Sequence, residues 1–324
     1  MYLMKNQQAV SAKYQLKEFE KRYRPAQCGE VLQFYGVDGF DVYNPSIPFQ
    51  IDGKTVIAGR VENRSNEISK TMFFERDAKG WRLLENAPVL DLQDPFVSWI
   101  DGETWIGGVS VIWDGPRCVE YSTHYYKGTS LSNLQFAFSG PKMMKDVRLL
   151  QLPDGKIAVF SRPQGEPMQQ KYGCVAKIGM TIADSAADLC AELIENAPLL
   201  EGQFIPEEWG GCNQLYNLKN GLIGVIGHKA WGEQVEDVFV IHYYSMSFAV
   251  DPQTRACTQT KIIATRDCYP QGPKKNARTA DVTFTSGILR REDGTAVLYA
   301  GLNDCQAGRL VIEDPLIEYE QIVL

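Results

Sequence analysis

Carboxylates, guanidinium groups and an imidazole stand at comparable places along this 324-residue chain, at the mouths of apolar runs. Asn44 and Asp94 each precede a proline, and Lys145, Asp146 and Arg148 open a third run. Ser286 opens the last run, with Asp281 just ahead of it. Arg60 with Glu62, Arg162, His228 with Lys229, and Asn303 with Asp304 stand where such runs end. Breaking a glycosidic bond needs a carboxylic acid to protonate the leaving oxygen and a group to attack from the opposite face of the sugar. Asp94, Glu62, Asp146, Asp281 and Asp304 could supply carboxylates, and Arg60, Lys145, Arg148, Arg162, His228 and Lys229 could supply cations or hydrogen-bond donors. Charged groups suit sugar hydroxyls, and the nearby Trp and Tyr rings suit the apolar faces of a sugar.

These groups belong to five hairpins. The turns Asp52-Gly53, Asp101-Gly102, Asp154-Gly155, Asn220-Gly221 and Asp293-Gly294 are Asp-Gly or Asn-Gly pairs between strand-like runs, the strongest short-range hairpin signal. Their starts are separated by 49, 53, 66 and 73 residues, which is repetition with growing insertions. A unit of roughly 40 to 70 residues holding several short strands predicts a β-propeller. The expected fold is all-β, a five-bladed β-propeller over residues 31–324, with residues 1–30 as an N-terminal helical extension. In such a ring the innermost strands surround a channel, so the five sets of polar groups converge on one pocket. Pro95 is expected to hold Asp94 in extended geometry.

Composition limits the function classes. The chain is 44 % hydrophobic and 23 % charged, with a formal net charge of −7, as in ordinary soluble globules. No Lys/Arg run provides the basic stripe that a nucleic-acid backbone requires. No stretch approaches the 18 apolar residues of a membrane span, and residues 1–10 carry no signal-peptide core. The expectation is a cytoplasmic protein with a small carbohydrate substrate, no nucleic-acid or membrane partner and scope for homo-oligomers. The eight cysteines show no CxxC spacing, so free thiols are expected in place of disulfides or a metal site.

Along the chain, residues 5–23 read as a helix through Leu16, Phe19 and Tyr23, ended by Arg24-Pro25. It is either a strut on the rim or an arm for a neighbouring subunit. Residues 31–35, 70–75, 119–126, 238–244 and 262–265 read as further strands, and residues 185–196 as an inserted helix of about three turns. Residues 197–211 form a long loop carrying Trp209, and the basic loop 272–278 reads as solvated, with an anion as its alternative occupant.

The motifs together resemble the five-bladed propeller family of β-mannoside phosphorylases and β-mannosidases. Asn44-Pro45 resembles that family's Asn-Pro opening, and Asp94-Pro95 its Glu-Asp-Pro-Arg segment. Lys145-Asp146-Val147-Arg148-Leu149-Leu150 resembles Lys-Asn-x-x-Leu-Phe, and Phe160-Ser161-Arg162-Pro163 resembles the His-Arg-Pro element. Gly227-His228 is similar to the Tyr-His-Gly region, and residues 282–287 to Val-Phe-Pro-Cys-Gly. The resemblance implies Asp94 as the general acid of an inverting reaction and sugar contacts from Asn44, Arg60, Asp146 and Ser286. Arg148 and Asp304 join that substrate-binding set as mouth residues. Lys145, Arg162 and His228 correspond best to the groups that hold phosphate, the attacking co-substrate; no other cofactor and no metal is implied.

Two departures keep other functions open. Phe96 stands where that family has arginine, and Gln93 where it has glutamate. Without phosphate, Glu62 or Asp281 would have to activate water, as in a furanosidase-like hydrolase using Asp94, Glu62 and Asp281. A non-catalytic glycan-binding propeller is the third reading. The corresponding local alternatives are a turn-capping role for Asp94, a rim salt bridge for Arg162 and a core position for His228.

Overall fold

The apolar side chains do not gather in one centre. In the computed structural model, which describes residues 3–5, 7–23 and 29–323, four clusters of buried residues lie between neighbouring antiparallel meanders. After helix α1 (Ala12–Arg22) come β1 (Glu30–Val31) and β2 (Phe34–Tyr35). The first meander has β3 (Asp41–Tyr43) and β4 (Phe49–Ile51), both pairing with β5 (Lys54–Glu62), then β6 (Ser69–Arg76) and β7 (Trp81–Leu83). The second is β8 (Gln93–Ile100), β9 (Glu103–Asp114), β10 (Arg117–Gly128) and β11 (Gln135–Ser139).

The third is β12 (Arg148–Gln151), β13 (Ile157–Ser161) and β14 (Gly179–Ala183), with α2 (Glu166–Tyr172) inside it and α3 (Ala191–Glu195) after it. The fourth is β15 (Trp209–Asn217), β16 (Ile223–Val235), β17 (Val238–Val250) and β18 (Lys261–Ala264). The fifth is β19 (Asp281–Arg290), β20 (Thr295–Leu302) and β21 (Gln306–Glu313), followed by α4 (Ile317–Glu320). The fourth and fifth meanders join through a two-residue parallel pairing, His242 to Asp281 and Tyr243 to Val282.

The five turns fall where their residue types require. Asp52 and Asp101 have φ of 53° and 53°, and the glycines after them 70° and 75°, the left-handed pair of a two-residue hairpin. First strands of successive meanders abut, β8 on β12, β12 on β15 and β15 on β19, while β20 and β21 return against β3. Side chains stitch these seams: Ser98 Oγ donates to the Leu149 carbonyl at 3.0 Å, Arg148 Nε to that of Asn213 at 2.8 Å, and Tyr216 Oη to that of Ile288 at 2.8 Å. The termini complete the arrangement, since Glu30 and Val31 pair with Arg309 and Gly308 of the last strand. The segment expected as one strand over residues 31–35 is therefore two, β1 on the fifth meander and β2 on the first.

Face-to-face packing supplies the stability. Phe96, Trp105 and Tyr125 of the second meander meet Val147, Leu149, Ile157 and Val159 of the third, and each fully buried large apolar side chain contributes about 1.5–3 kcal/mol. The same packing breaks the helix expected over residues 185–196. It is a single 3-10 turn, Ala186–Asp188, followed by the one-turn α3, because extended Leu189 enters this apolar layer and Ile194 is wholly buried there. Helix α1 starts later than its periodicity suggests, where Ser11 Oγ accepts from the Tyr14 amide at 3.3 Å. It is a strut, with Phe19 in the layer between the fourth and fifth meanders and Arg22 donating to the Ile262 carbonyl at 2.8 Å. Its expected stop, Arg24-Pro25, lies outside the described residues. Among the described residues no helix is long and apolar enough to cross a membrane.

Candidate functional site

Each meander breaks its first strand at an equivalent point. In β8 the register with β9 shifts between Gln93 and Phe96, in β15 between Cys212 and Gln214, and in β19 between Thr285 and Gly287. In the first meander the excursion 44–48 separates β3 from β4, and in the third Asp146 stands just ahead of β12. A bulge re-aims one side chain out of the strand's alternation. Here it acts on Asp94, Asn213 and Ser286, while Asn44 and Asp146 hold the corresponding places in the other two meanders; each stands seven or eight residues ahead of its turn. Asn44, Asp94 and Asp146 have φ of 42°, 50° and 60°, a left-handed strain of about 1–3 kcal/mol each that neighbouring contacts must hold. Asp94 is therefore not extended as Pro95 suggested; the bulge and its side-chain partners override the preference of a residue before proline.

One wall of the site is acidic. Asp94 Oδ1 accepts from Asn44 Nδ2 at 2.8 Å and from Arg60 Nη1 at 3.1 Å, while Oδ2 has no partner among the described residues. Arg60 also binds Glu62, at 3.0 Å through Nε, and Glu67 at 3.1 Å. Both Glu62 oxygens are occupied, because Tyr43 Oη donates to Oε1 at 2.6 Å and Lys275 pairs with that same oxygen. Lys275 also reaches Glu67 at 2.6 Å and is only 7 % exposed, so this member of the basic loop is not solvated, whereas Lys274 and Arg278 are exposed. Asp304, with φ of 54°, faces the same cluster. It keeps a small accessible surface, yet desolvation deep among protein atoms pushes its carboxyl up to about 6, with Asp94 adding to the shift and Arg60 and Lys275 opposing it.

The other wall is basic. Asp146 Oδ2 lies 3.2 Å from Arg162 Nη1 and 3.9 Å from His228 Nε2, and its Oδ1 lies 3.9 Å from Arg148 Nη2. Burial disfavours the charged form of Asp146, but Arg162, His228, Arg148 and Lys145 outweigh it and bring its carboxyl down to about 2. His228 is held between Tyr243, stacked at 5.4 Å, and Phe284 at 5.1 Å, with Nδ1 2.8 Å from Asn213 Oδ1. Desolvation, with Arg162, Lys145 and Arg148 nearby, pushes this imidazole down to about 3 against the pull of Asp146. Arg148 lies 3.6 Å from the Phe96 ring centroid, so Phe96 carries a guanidinium on its face where the resembled family has an arginine of its own.

Unsatisfied groups lie on both walls. Asn44 Oδ1, Asp146 Oδ2, Arg162 Nη1, Asn213 Nδ2 and Ser286 Oγ are buried without a hydrogen-bond partner among the described residues. Buried polar atoms are normally paired; Asp146 Oδ2, Arg162 Nη1 and Asn213 Nδ2 gather about the His228 ring, where a polyhydroxyl or anionic ligand could bond, whereas Asn44 Oδ1 lies against Gly301.

The structure brings together Asn44, Arg60, Glu62, Asp94 and Asp304 on one side, and Lys145, Asp146, Arg148, Arg162 and His228 on the other. Asp281 is not brought to Asp94. The parallel pairing of β17 with β19 sets it opposite His242, whose Nδ1 lies 2.6 Å from Asp281 Oδ2, and Tyr244 Oη donates to the same oxygen at 3.0 Å. Lys229, beside His228 in sequence, turns away: its buried ammonium donates to the Gln203 carbonyl at 2.8 Å and pairs with Glu208 at 3.1 Å. Sequence reasoning overlooked Asn213, Tyr43, Glu67 and Lys275 as site residues. Asn213 had a signal, the seven-residue offset from its turn that Asp94 and Ser286 share; the other three reach the site only through tertiary contacts.

Comparison with solved structures places the chain among carbohydrate-active enzymes built on glycosidase-like propellers. It belongs to the family described as Protein of unknown function (DUF1861), which matches residues 17–318. A mannose phosphorylase from Leishmania mexicana, solved in complex with a phosphate ion, is 38 % identical with a TM-score of 0.87, over 96 % of this chain and 95 % of that one. A GDP-Man-dependent mannosyltransferase from Leishmania mexicana is 37 % identical with a TM-score of 0.86, over 97 % of each. A β-1,2-mannobiose phosphorylase from Listeria innocua shares the fold at 15 % identity and a TM-score of 0.62, over 87 % of this chain and 93 % of that one. No curated protein matches by sequence.

Proposed function

We propose that the chain is an inverting glycoside phosphorylase acting on mannosides, with its five meanders as the blades of a five-bladed propeller over residues 31–324 and residues 1–30 as an extension. The observation that carries this reading is the pairing of the two walls: Asp94 has one oxygen free, beside a cradle of Arg148, Arg162, His228 and Lys145. Phosphate held in the cradle attacks the anomeric carbon, forming a C–O–P bond while the glycosidic C–O bond breaks. Protonated Asp94 gives its proton to the leaving oxygen, and the products are a sugar 1-phosphate of inverted configuration and a free hydroxyl. Arg60 and Asn44 hold Asp94 in place, and the cations offset the charge of the approaching nucleophile.

The hydrolytic and furanosidase-like readings need a second carboxylate with a free oxygen to activate water. Both oxygens of Glu62 are bonded, and Asp281, held through Oδ2 by His242 and Tyr244, is set against β17 and not beside Asp94, which favours phosphate over water. The mannosyltransferase among the relatives keeps a second reading in view, transfer of mannose from an activated donor.

The test is turnover of a panel of β-mannosides with and without inorganic phosphate, following free sugar and sugar 1-phosphate. Sugar 1-phosphate formed only with phosphate is the expected result. Free sugar at a phosphate-independent rate would replace the reading with hydrolysis, and turnover confined to a nucleotide-activated donor would replace it with transfer.

A further inference from the structure

The cradle contains acceptors as well as cations, and a bare anion does not suit them. Asp146 is 2 % exposed, and its Oδ2 has no hydrogen-bond partner among the described residues although Arg162 Nη1 lies 3.2 Å away. Beside it, at 3.9 Å, is His228 Nε2. The other ring nitrogen, Nδ1, faces the acceptor Asn213 Oδ1 at 2.8 Å and so carries the ring's hydrogen. Burial keeps the imidazole neutral, which leaves a lone pair on Nε2. Two acceptors thus stand next to two unpaired donors, Arg162 Nη1 and Asn213 Nδ2. A ligand that satisfies all four must present acceptor oxygens and at least one O–H. Sulfate offers only acceptors, and its oxygens would face the lone pairs of Asp146 and His228. Hydrogen phosphate has the same tetrahedral shape and retains a P–OH.

We propose that Asp146, with the His228 Nε2 lone pair beside it, makes this site select a protonated oxyanion, hydrogen phosphate, over unprotonated oxyanions of the same shape. This rests on the reading that the cradle takes inorganic phosphate. Asp146 is then a specificity-determining residue whose negative charge, unfavourable to anion binding as such, is used to accept the phosphate proton. The neighbouring cations Arg148, Arg162 and Lys145 keep the site electropositive despite it.

The test is calorimetric titration of the unaltered protein with inorganic phosphate, arsenate, sulfate and fluorophosphate. Arsenate keeps an O–H near neutral pH, whereas sulfate and fluorophosphate do not. Phosphate and arsenate are expected to bind alike, and the other two about 10- to 100-fold more weakly, the effect of leaving a buried acceptor unpaired. In Asp146→Asn the side-chain amide can donate to a bare oxyanion, and asparagine tolerates the left-handed backbone there. The gap between phosphate and sulfate should shrink to within about threefold by the same argument. Equal binding of phosphate and sulfate by the unaltered protein overturns the inference, as does a gap that persists in Asp146→Asn. If that variant does not fold, the four-anion comparison on the unaltered protein decides. Binding of none of the four anions would remove the phosphate reading itself, and this inference with it.

Discussion

The two walls of the site are built from corresponding places in successive meanders and reach opposite electrostatic results. On the wall from the first, second and fifth meanders, Glu62, Glu67, Asp94 and Asp304 surround Arg60 and Lys275, so carboxylates outnumber cations. On the wall from the third and fourth, Lys145, Arg148 and Arg162 surround Asp146 alone. Desolvation, with Asp94 and Glu67 beside it, raises the Asp304 carboxyl to about 6, whereas the isolated carboxylate of Asp146 among cations stays ionised far into acid. The difference teaches that one scaffold position, repeated in successive meanders, can set a carboxylate in opposite electrostatic surroundings. The neighbours of each such residue decide which.

Breaking the acidic wall should have the largest effect. Asp94→Asn is expected to lower kcat about 10²- to 10⁴-fold on sugar leaving groups, and far less on a dinitrophenyl mannoside, whose leaving group needs no proton; a leaving-group series measures this. Next comes the support behind the basic wall. Lys229 is fully buried and paired with Glu208, so Lys229→Met should cost about 3–5 kcal/mol by stranding that carboxylate. Adding Glu208→Gln should restore much of it, as read by denaturant unfolding.

A smaller effect is expected at the seam between the fifth and first meanders. A Cβ built on Gly301 would lie 1.7 Å from Asn44 Oδ1. Gly301→Ala should therefore displace Asn44 from Asp94 and lower kcat, with a stability loss of about 1–3 kcal/mol from overpacking. The smallest effect concerns pH. The Asp304 carboxyl rises from 3.8 to about 6 on folding, so the folded state binds the proton more tightly and stability falls as pH rises across that window. Asp146 works the other way, from 3.8 down to about 2, giving stability that is lost as pH falls through that lower window. Asp304→Asn should flatten the stability profile between about pH 4 and 6 by on the order of 2 kcal/mol, and leave the acid limb set by Asp146.

The repeated Asp-Gly and Asn-Gly turns made the meanders legible, because each glycine takes the left-handed conformation that a tight turn between apolar runs requires, with Asp52 and Asp101 left-handed as well. Asp94, Asn44 and Asp146 stood out for the same reason, ahead of those turns, and each is held by charged or amide partners in the structure. Lys275 was not: it comes from a loop that looks solvated, and only its ion pairs with Glu62 and Glu67 draw it inward. Asp281 was misplaced because sequence cannot show that parallel pairing sets it against His242. Phe96 looked like a lost function and is instead the face on which Arg148 rests. The broken helix over residues 185–196 shows packing of Leu189 and Ile194 overriding a helical pattern.

The division of labour between the walls is tested most directly by titrating inorganic phosphate into Asp94→Asn and Arg162→Ala side by side. The account expects Asp94→Asn to bind phosphate as the unaltered protein does while turnover is lost, and Arg162→Ala to lose phosphate affinity. Equal loss of phosphate binding in both variants, or in neither, would contradict it.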